Sequence, residues 1–152
     1  MANRIGYAAG AFDLFHVGHL NLLRQAKSHC DFLIAGVVAD EILVAAKGRA
    51  PVIPLAERLE IVRNIGFVDE AFPEVLPNKI DTWRQKPFDV FFKGDDWKGT
   101  PRGLALERDF NAVGVEIVYF PYTVHTSSTI LRQTLDMINA EHLEPSYSRR
   151  FF

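Results

Sequence analysis

The chain has 152 residues, with 17 basic against 19 acidic side chains and a formal net charge of −2. That length suits one domain built on a single core, and the near balance of charge provides no field to attract a polyanion, which argues against nucleic acid as a partner. One cysteine, Cys30, rules out an intramolecular disulfide and a cysteine-only zinc site, and no apolar run reaches the length of a membrane span, so a soluble, cytoplasmic protein is expected.

Ile5 to Ala9 reads as a buried strand closed by a tight turn at Gly10. Leu20, Leu22, Leu23 and Ala26 then recur at helical spacing within Gly18 to His29. Between the two lies Gly10-Ala11-Phe12-Asp13-Leu14-Phe15-His16-Val17-Gly18-His19, which sets two histidines three apart at a helix start. Backbone N–H groups and imidazole donors can converge there on one phosphate. The positive end of the helix dipole opposes protonation, so His16 and His19 read as neutral donors that stabilise charge, not as bases. Asp31 to Val38 is a nearly continuous apolar run, the pattern of a strand covered on both faces, and a right-handed crossover sets it parallel to the first.

Asp40 is placed to cap a short helix through Ala46, after which Lys47-Gly48-Arg49-Ala50-Pro51 reads as a basic loop. Leu55 to Ile65 is a second amphipathic helix. Its Arg58 is either an ordinary surface arginine or, if it faces the crevice, a fork for a triphosphate. Gly66 ends that helix, Phe67 to Phe72 follows as a strand, and Lys79 to Gln85 as a helix. Phe88 to Lys93 is another buried strand, and it delivers Gly94-Asp95-Asp96-Trp97 at its end. Two carboxylates there suit a plain turn, a ribose, a base amino group or a magnesium shell, whereas Trp83 and Trp97 read first as packing residues.

Gly103 to Ala112 is the next helix and Val115 to Phe120 a β-branched strand stopped by Pro121. A last helix starts at Ser127 or Ser128, with Ile130, Leu131, Thr134, Leu135 and Ile138 as its apolar face. The hydroxyls of Ser127, Ser128 and Thr129 suit a cap and a phosphate equally, because both use the same end of a helix. Residues 1–140 make the domain. The tail 141–152 has no period, and its Tyr147, Phe151 and Phe152 are apolar enough to dock.

Alternating strands and helices predict a doubly wound α/β fold with a parallel sheet and ligands beyond the strand C-termini. Gly10 to His19, Gly94 to Trp97 and Pro121 to Thr129 each follow a strand, so one crevice gathers all three.

These ordered motifs, with Val68-Asp69-Glu70, resemble the cytidylyltransferase family of the HxGH nucleotidyltransferases, and the glycerol-3-phosphate cytidylyltransferases in particular, from about Ile5 to Gln133. The resemblance implies a Rossmann-like fold, a homodimer, and transfer of CMP from CTP to a small phosphomonoester with release of pyrophosphate. Under it His16 and His19 stabilise the α-phosphate, and Lys47 and Arg58 supply cations. Gly10, Ala11, Phe12 and Gly18 line the nucleotide, Asp96 and Trp97 lie near the nucleoside, and Ser127, Ser128 and Thr129 lie at the triphosphate. It also implies in-line attack by an acceptor oxygen, with Mg²⁺ bridging nucleotide oxygens and no protein metal ligand. The chain departs from the family where Tyr122 replaces an arginine, His125 a glycine, and Gly66 a basic residue, all of which bear on the acceptor side. An adenylyltransferase of the flavin-nucleotide or sugar-phosphate type has the same fold. A nucleotide-binding subunit without turnover is the third reading, motivated by Tyr122.

Overall fold

A computed structural model describes residues 3–122 and 125–142. In chain order it gives β1 (Ile5–Gly10), α1 (Val17–Lys27), β2 (Phe32–Val38), α2 (Asp40–Lys47), α3 (Leu55–Arg63), β3 (Glu70–Glu74), α4 (Lys79–Gln85), β4 (Val90–Gly94), a 3₁₀ turn (Asp95–Trp97), α5 (Pro101–Asn111), β5 (Glu116–Phe120) and α6 (Ser128–His142). All strand pairs are parallel and the order is β3-β2-β1-β4-β5. The expected doubly wound sheet is therefore present. Strand order reverses between β1 and β4, which brings Gly10 and Gly94 to the crevice where ligands of such sheets bind.

Alternation along the strands divides the core into two layers. Ala8, Leu33, Ala35, Val37 and Phe92 face α1 and α3 through Leu23, Ala26 and Val62. On the other face, Tyr7, Ala9, Ile34 and Phe91 pack against Leu106 and Phe110 of α5. The Tyr7 hydroxyl donates to the fully buried Glu74 carboxylate at 2.9 Å, and Lys79 pairs with the same carboxylate. Gly36 makes room for that hydroxyl, since a Cβ there would stand 2.0 Å from it. Gly36→Ala is expected to lower stability by about 1–3 kcal/mol through overpacking, read as a lower urea midpoint.

Several boundaries differ from the sequence reading for identifiable reasons. The strand expected over Phe67–Phe72 begins at Glu70, because the Asp69 carboxylate takes Leu33 N–H and Lys27, both at 2.7 Å, and holds the preceding residues in a turn. It runs on through Pro73, which an edge strand tolerates. Asp40 does not cap α2. It is the first helical residue and its carboxylate pairs with Arg58. Lys47 closes α2 instead of sitting in a loop, and Gly48, at φ 73°, ends the helix in the left-handed region.

The apolar face expected on α6 exists, but Ile130, Leu135, Met137 and Ile138 on that helix are 40–65% exposed. Its first turns are tied to the domain through Ser128 and Arg132, and its third by an exposed pair of Asp136 with Arg49 at 3.5 Å. Beyond residue 142, the tail with Tyr147, Phe151 and Phe152 lies outside the described residues. Among those described, no helix is long and apolar enough to cross a membrane.

Candidate active site

The loop between β1 and α1 is strained. Phe12 and Leu14 have φ of 53° and 51°, a region that costs a non-glycine residue about 1–2 kcal/mol. Long-range bonds hold it there. Asp13, 1% exposed, accepts from the backbone N–H groups of Val52 and Ile53 at 2.8 and 2.9 Å and from Arg132 at 3.2 Å. Its carbonyl accepts from the Ser128 hydroxyl at 2.6 Å. The Ala11 carbonyl accepts from Arg58 at 2.7 Å.

Arg58 is where the structure corrects the sequence reading most sharply. Its side chain is fully buried and does not face the crevice. The guanidinium donates to the carbonyls of Ile53, Ala11 and Val38 at 2.7–2.8 Å and to Asp40. It ties the ends of β1 and β2 to α3, so it acts as scaffold to the loop.

His16 caps α1. Its Nδ1 accepts from Gly18 N–H at 3.0 Å, and His19 Nδ1 accepts from His16 N–H at 3.3 Å. This is a reciprocal capping box made with two histidines in place of the usual serine and glutamate. With both Nδ1 atoms accepting, each neutral ring must carry its proton on Nε2. The rings lie 3.9 Å apart between centroids. His19 Nε2 is 3.4 Å from the Ser128 hydroxyl, to which it can donate. Burial lowers the pKa of His16. Burial first, then His16, brings His19 down to about 3 against the opposing pull of Asp13.

The stability consequence has a definite sign. His19 is neutral when folded and basic near 6.5 when unfolded, so its contribution is complete above that pH and is lost as pH falls toward 3. Urea midpoints measured between pH 7.5 and 5 should therefore fall with pH, and less steeply in His19→Gln. Equal slopes would contradict the neutral assignment.

A cleft of about 880 Å³ opens at the C-terminal edge of the sheet. It is lined by Gly10, Ala11, Phe12, His16, Gly18, His19, Lys47, Asp96, Trp97, Tyr122, His125, Ser127, Ser128 and Thr129, so each expected site residue except Arg58 reaches it. Ser127 accepts from Ile130 N–H at 3.1 Å as a cap, and Ser128 turns toward His19. Thr123 and Val124 of the same stretch lie outside the described residues. Tyr122 donates to Asp96 at 3.2 Å across Gly94, where a Cβ would meet the hydroxyl at 2.7 Å.

Four cleft cations escaped the sequence reading, Arg132, Lys93, Lys79 and Arg102. Arg132 follows Ser128 by one helical turn, on the same face, and borders the cleft beside Lys47. Partial burial and Arg132 lower the Lys47 pKa, while Asp96 and Asp13 oppose the shift. Lys93 is the last side chain of β4 before Gly94, and Lys79 opens α4. Position at a strand end was the available signal for Lys93.

Comparison with known proteins places the chain among the nucleotidyltransferases. The chain belongs to the cytidylyltransferase-like family, whose profile matches residues 7–134. It is 35% identical over 127 residues to the glycerol-3-phosphate cytidylyltransferase of Bacillus spizizenii, covering 83% of this chain and 92% of that one. With the ethanolamine-phosphate cytidylyltransferase of Arabidopsis thaliana it shares 40% identity over 95 residues, which span 59% of this chain and 22% of that relative's length. The FAD synthase of Thermococcus onnurineus is 36% identical over 117 residues, 76% of this chain and 77% of the other. Among solved structures, the lipopolysaccharide core biosynthesis protein from Thermoplasma volcanium shares the fold, with a TM-score of 0.69 at 22% identity over 82% of this chain and 100% of that one.

Proposed function

We propose that the protein transfers CMP from CTP to a small phosphomonoester such as glycerol 3-phosphate and releases pyrophosphate. The observation that carries this reading is the pair of Nδ1-engaged imidazoles, which leaves their Nε2–H groups as donors on a cleft large enough for a nucleotide. An acceptor phosphate oxygen forms the new bond to the α-phosphorus, and the bond from that phosphorus to the bridging oxygen breaks as pyrophosphate leaves. The acceptor is already ionised near neutral pH, so no base is required, and positioning with charge stabilisation supplies the acceleration. His16 and His19 donate to the α-phosphate oxygens. Lys47 and Arg132 neutralise the triphosphate, and Asp96 with Trp97 borders the nucleoside.

Mg²⁺ is read as travelling on the nucleotide, where it would neutralise phosphate charge. Asp13, the acid at the phosphate end, has both carboxylate oxygens engaged by backbone N–H groups and Arg132, and no metal-ligating trio occurs among the described residues. That donor set suits an ion held by phosphates and water. The homodimer is likewise proposed, and the exposed apolar face of α6 supports it. Sedimentation at a mass of one chain would contradict it.

An adenylyltransferase reading is kept because of the likeness to FAD synthase. The reading without turnover keeps its motive in Tyr122, and what speaks against it is Arg132, which borders the cleft while paired with Asp13. Pyrophosphate release with CTP and ATP, over glycerol 3-phosphate, phosphoethanolamine, sugar phosphates and FMN, separates the three. Release with CTP and glycerol 3-phosphate is expected. Faster release with ATP and FMN favours the second reading, and none with any pair the third.

A further inference from the structure

The two faces of the sheet bring different chemistry to the cleft. His19 packs on Phe12 and Phe15, so the histidine pair belongs to the α1 face. Side chains alternate along β4, so Lys93, two residues after Phe91, points to the opposite face, where α4 and α5 pack. There its ammonium lies 4.2 Å from the Trp97 ring centroid. Lys79, at the start of α4, borders the cleft from the same side. Ala9, on the matching face of β1, lines this corner with no more than a methyl group.

This corner holds one positive charge more than it balances. Lys79 pairs with Glu74, which is fully buried and also accepts from the Tyr7 hydroxyl. Lys93 forms no ion pair among the described residues. Burial is the main force bringing its pKa down to about 8, with Lys79 and Lys47 adding to it and Asp96 and Glu74 opposing. An ammonium packed away from water without a carboxylate is costly, and a bound anion relieves that cost. Two acids do border the cleft. Asp96 takes the Tyr122 hydroxyl on one oxygen only, and Asp109 stands on α5. Beyond the Asp13–Arg132 pair, these two acids face four cations, Lys47, Lys79, Lys93 and Arg102, in a chain whose net charge is −2. The cleft therefore carries an excess of positive charge that the chain as a whole does not.

A phosphomonoester whose phosphate meets the α-phosphorus beside His16 and His19 extends its other end across the sheet edge toward this corner. We propose that Lys93, with Lys79 beside it, receives a carboxylate there, so that the acceptors turned over best are phosphomonoesters of hydroxy acids, with neutral polyol phosphates such as glycerol 3-phosphate as slower acceptors. This deepens the nucleotidyl-transfer reading and rests on it. The match is one of charge. Glu74 balances one of the two ammonium groups, and a carboxylate, with a single negative charge and two acceptor oxygens, balances the other. The transfer itself is unchanged, because the carboxylate takes no part in making or breaking bonds.

The test is pyrophosphate release by the full chain from CTP with 3-phosphoglycerate and with glycerol 3-phosphate, both as racemates. The two share one carbon skeleton and differ in a carboxylate against a hydroxymethyl group. For 3-phosphoglycerate kcat/KM is expected to be about tenfold higher or more, most of it in KM, the scale of one charge-assisted contact. Lys93→Met is expected to erase most of that preference, by weakening 3-phosphoglycerate much more than glycerol 3-phosphate. Lys93→Arg is expected to keep it. Equal or slower release with 3-phosphoglycerate in the unaltered protein overturns the carboxylate site, while release with glycerol 3-phosphate in the same assay leaves the nucleotidyl-transfer reading standing. Equal losses on both acceptors, or an unchanged preference, in a folded Lys93→Met protein overturn the role of Lys93. No release with either acceptor or with any other phosphomonoester, from CTP or ATP, sinks the nucleotidyl-transfer reading itself.

Discussion

His16→Asn and His19→Gln should each slow turnover by about two orders of magnitude or more, with the urea midpoint at neutral pH nearly unchanged. The pairing of substitutions follows from the capping box. An asparagine at the helix start accepts from the Gly18 N–H in place of His16 Nδ1, and a glutamine three residues on accepts from the residue 16 N–H in place of His19 Nδ1. The asparagine amide ends short of the Nε2 position, and the glutamine amide keeps an NH2 but not the ring that aims its donor at the phosphate. Alanine at either site would mix loss of a cap, about 1 kcal/mol, with loss of the donor. Near-normal turnover in both variants would remove the imidazoles from the reaction.

Arg58→Met should destabilise the fold by about 3–5 kcal/mol, the usual cost of breaking a buried charged network, and lower the thermal midpoint by roughly 10 °C. The cause is local. Methionine fills the space but leaves the carbonyls of Ala11, Val38 and Ile53 without their donor and Asp40 without its cation. The strained Phe12 and Leu14 lose one of their restraints at the same time, so turnover should fall as well. An unchanged midpoint with lost activity would instead make Arg58 a direct phosphate ligand.

Much of the fold was legible because its signals are local. The apolar runs Asp31–Val38 and Phe88–Lys93 read as buried strands, found at Phe32–Val38 and Val90–Gly94, and periodic leucines read as α1. The crevice followed from topology, since residues after parallel strands meet at one edge. What stayed hidden depends on direction and on distant partners. Arg58 sits at an unremarkable helical position, and only the carbonyls of three separate segments decide that it turns inward. Asp13 looks like a loop acid until residues 52 and 53 supply its donors. A capping box made of histidines falls outside the residue types that mark helix starts. The apolar stripe of α6 was read correctly as a stripe, but periodicity says nothing of what covers it.

The most direct measurement follows the α-phosphate itself. With CTP labelled at that phosphorus and glycerol 3-phosphate as acceptor, the label should pass into a CMP-acceptor product in step with pyrophosphate, and the transfer should fall about a hundredfold in His16→Asn. Label left wholly in CTP with every acceptor, or transferred as fast by His16→Asn as by the unaltered protein, would contradict the account.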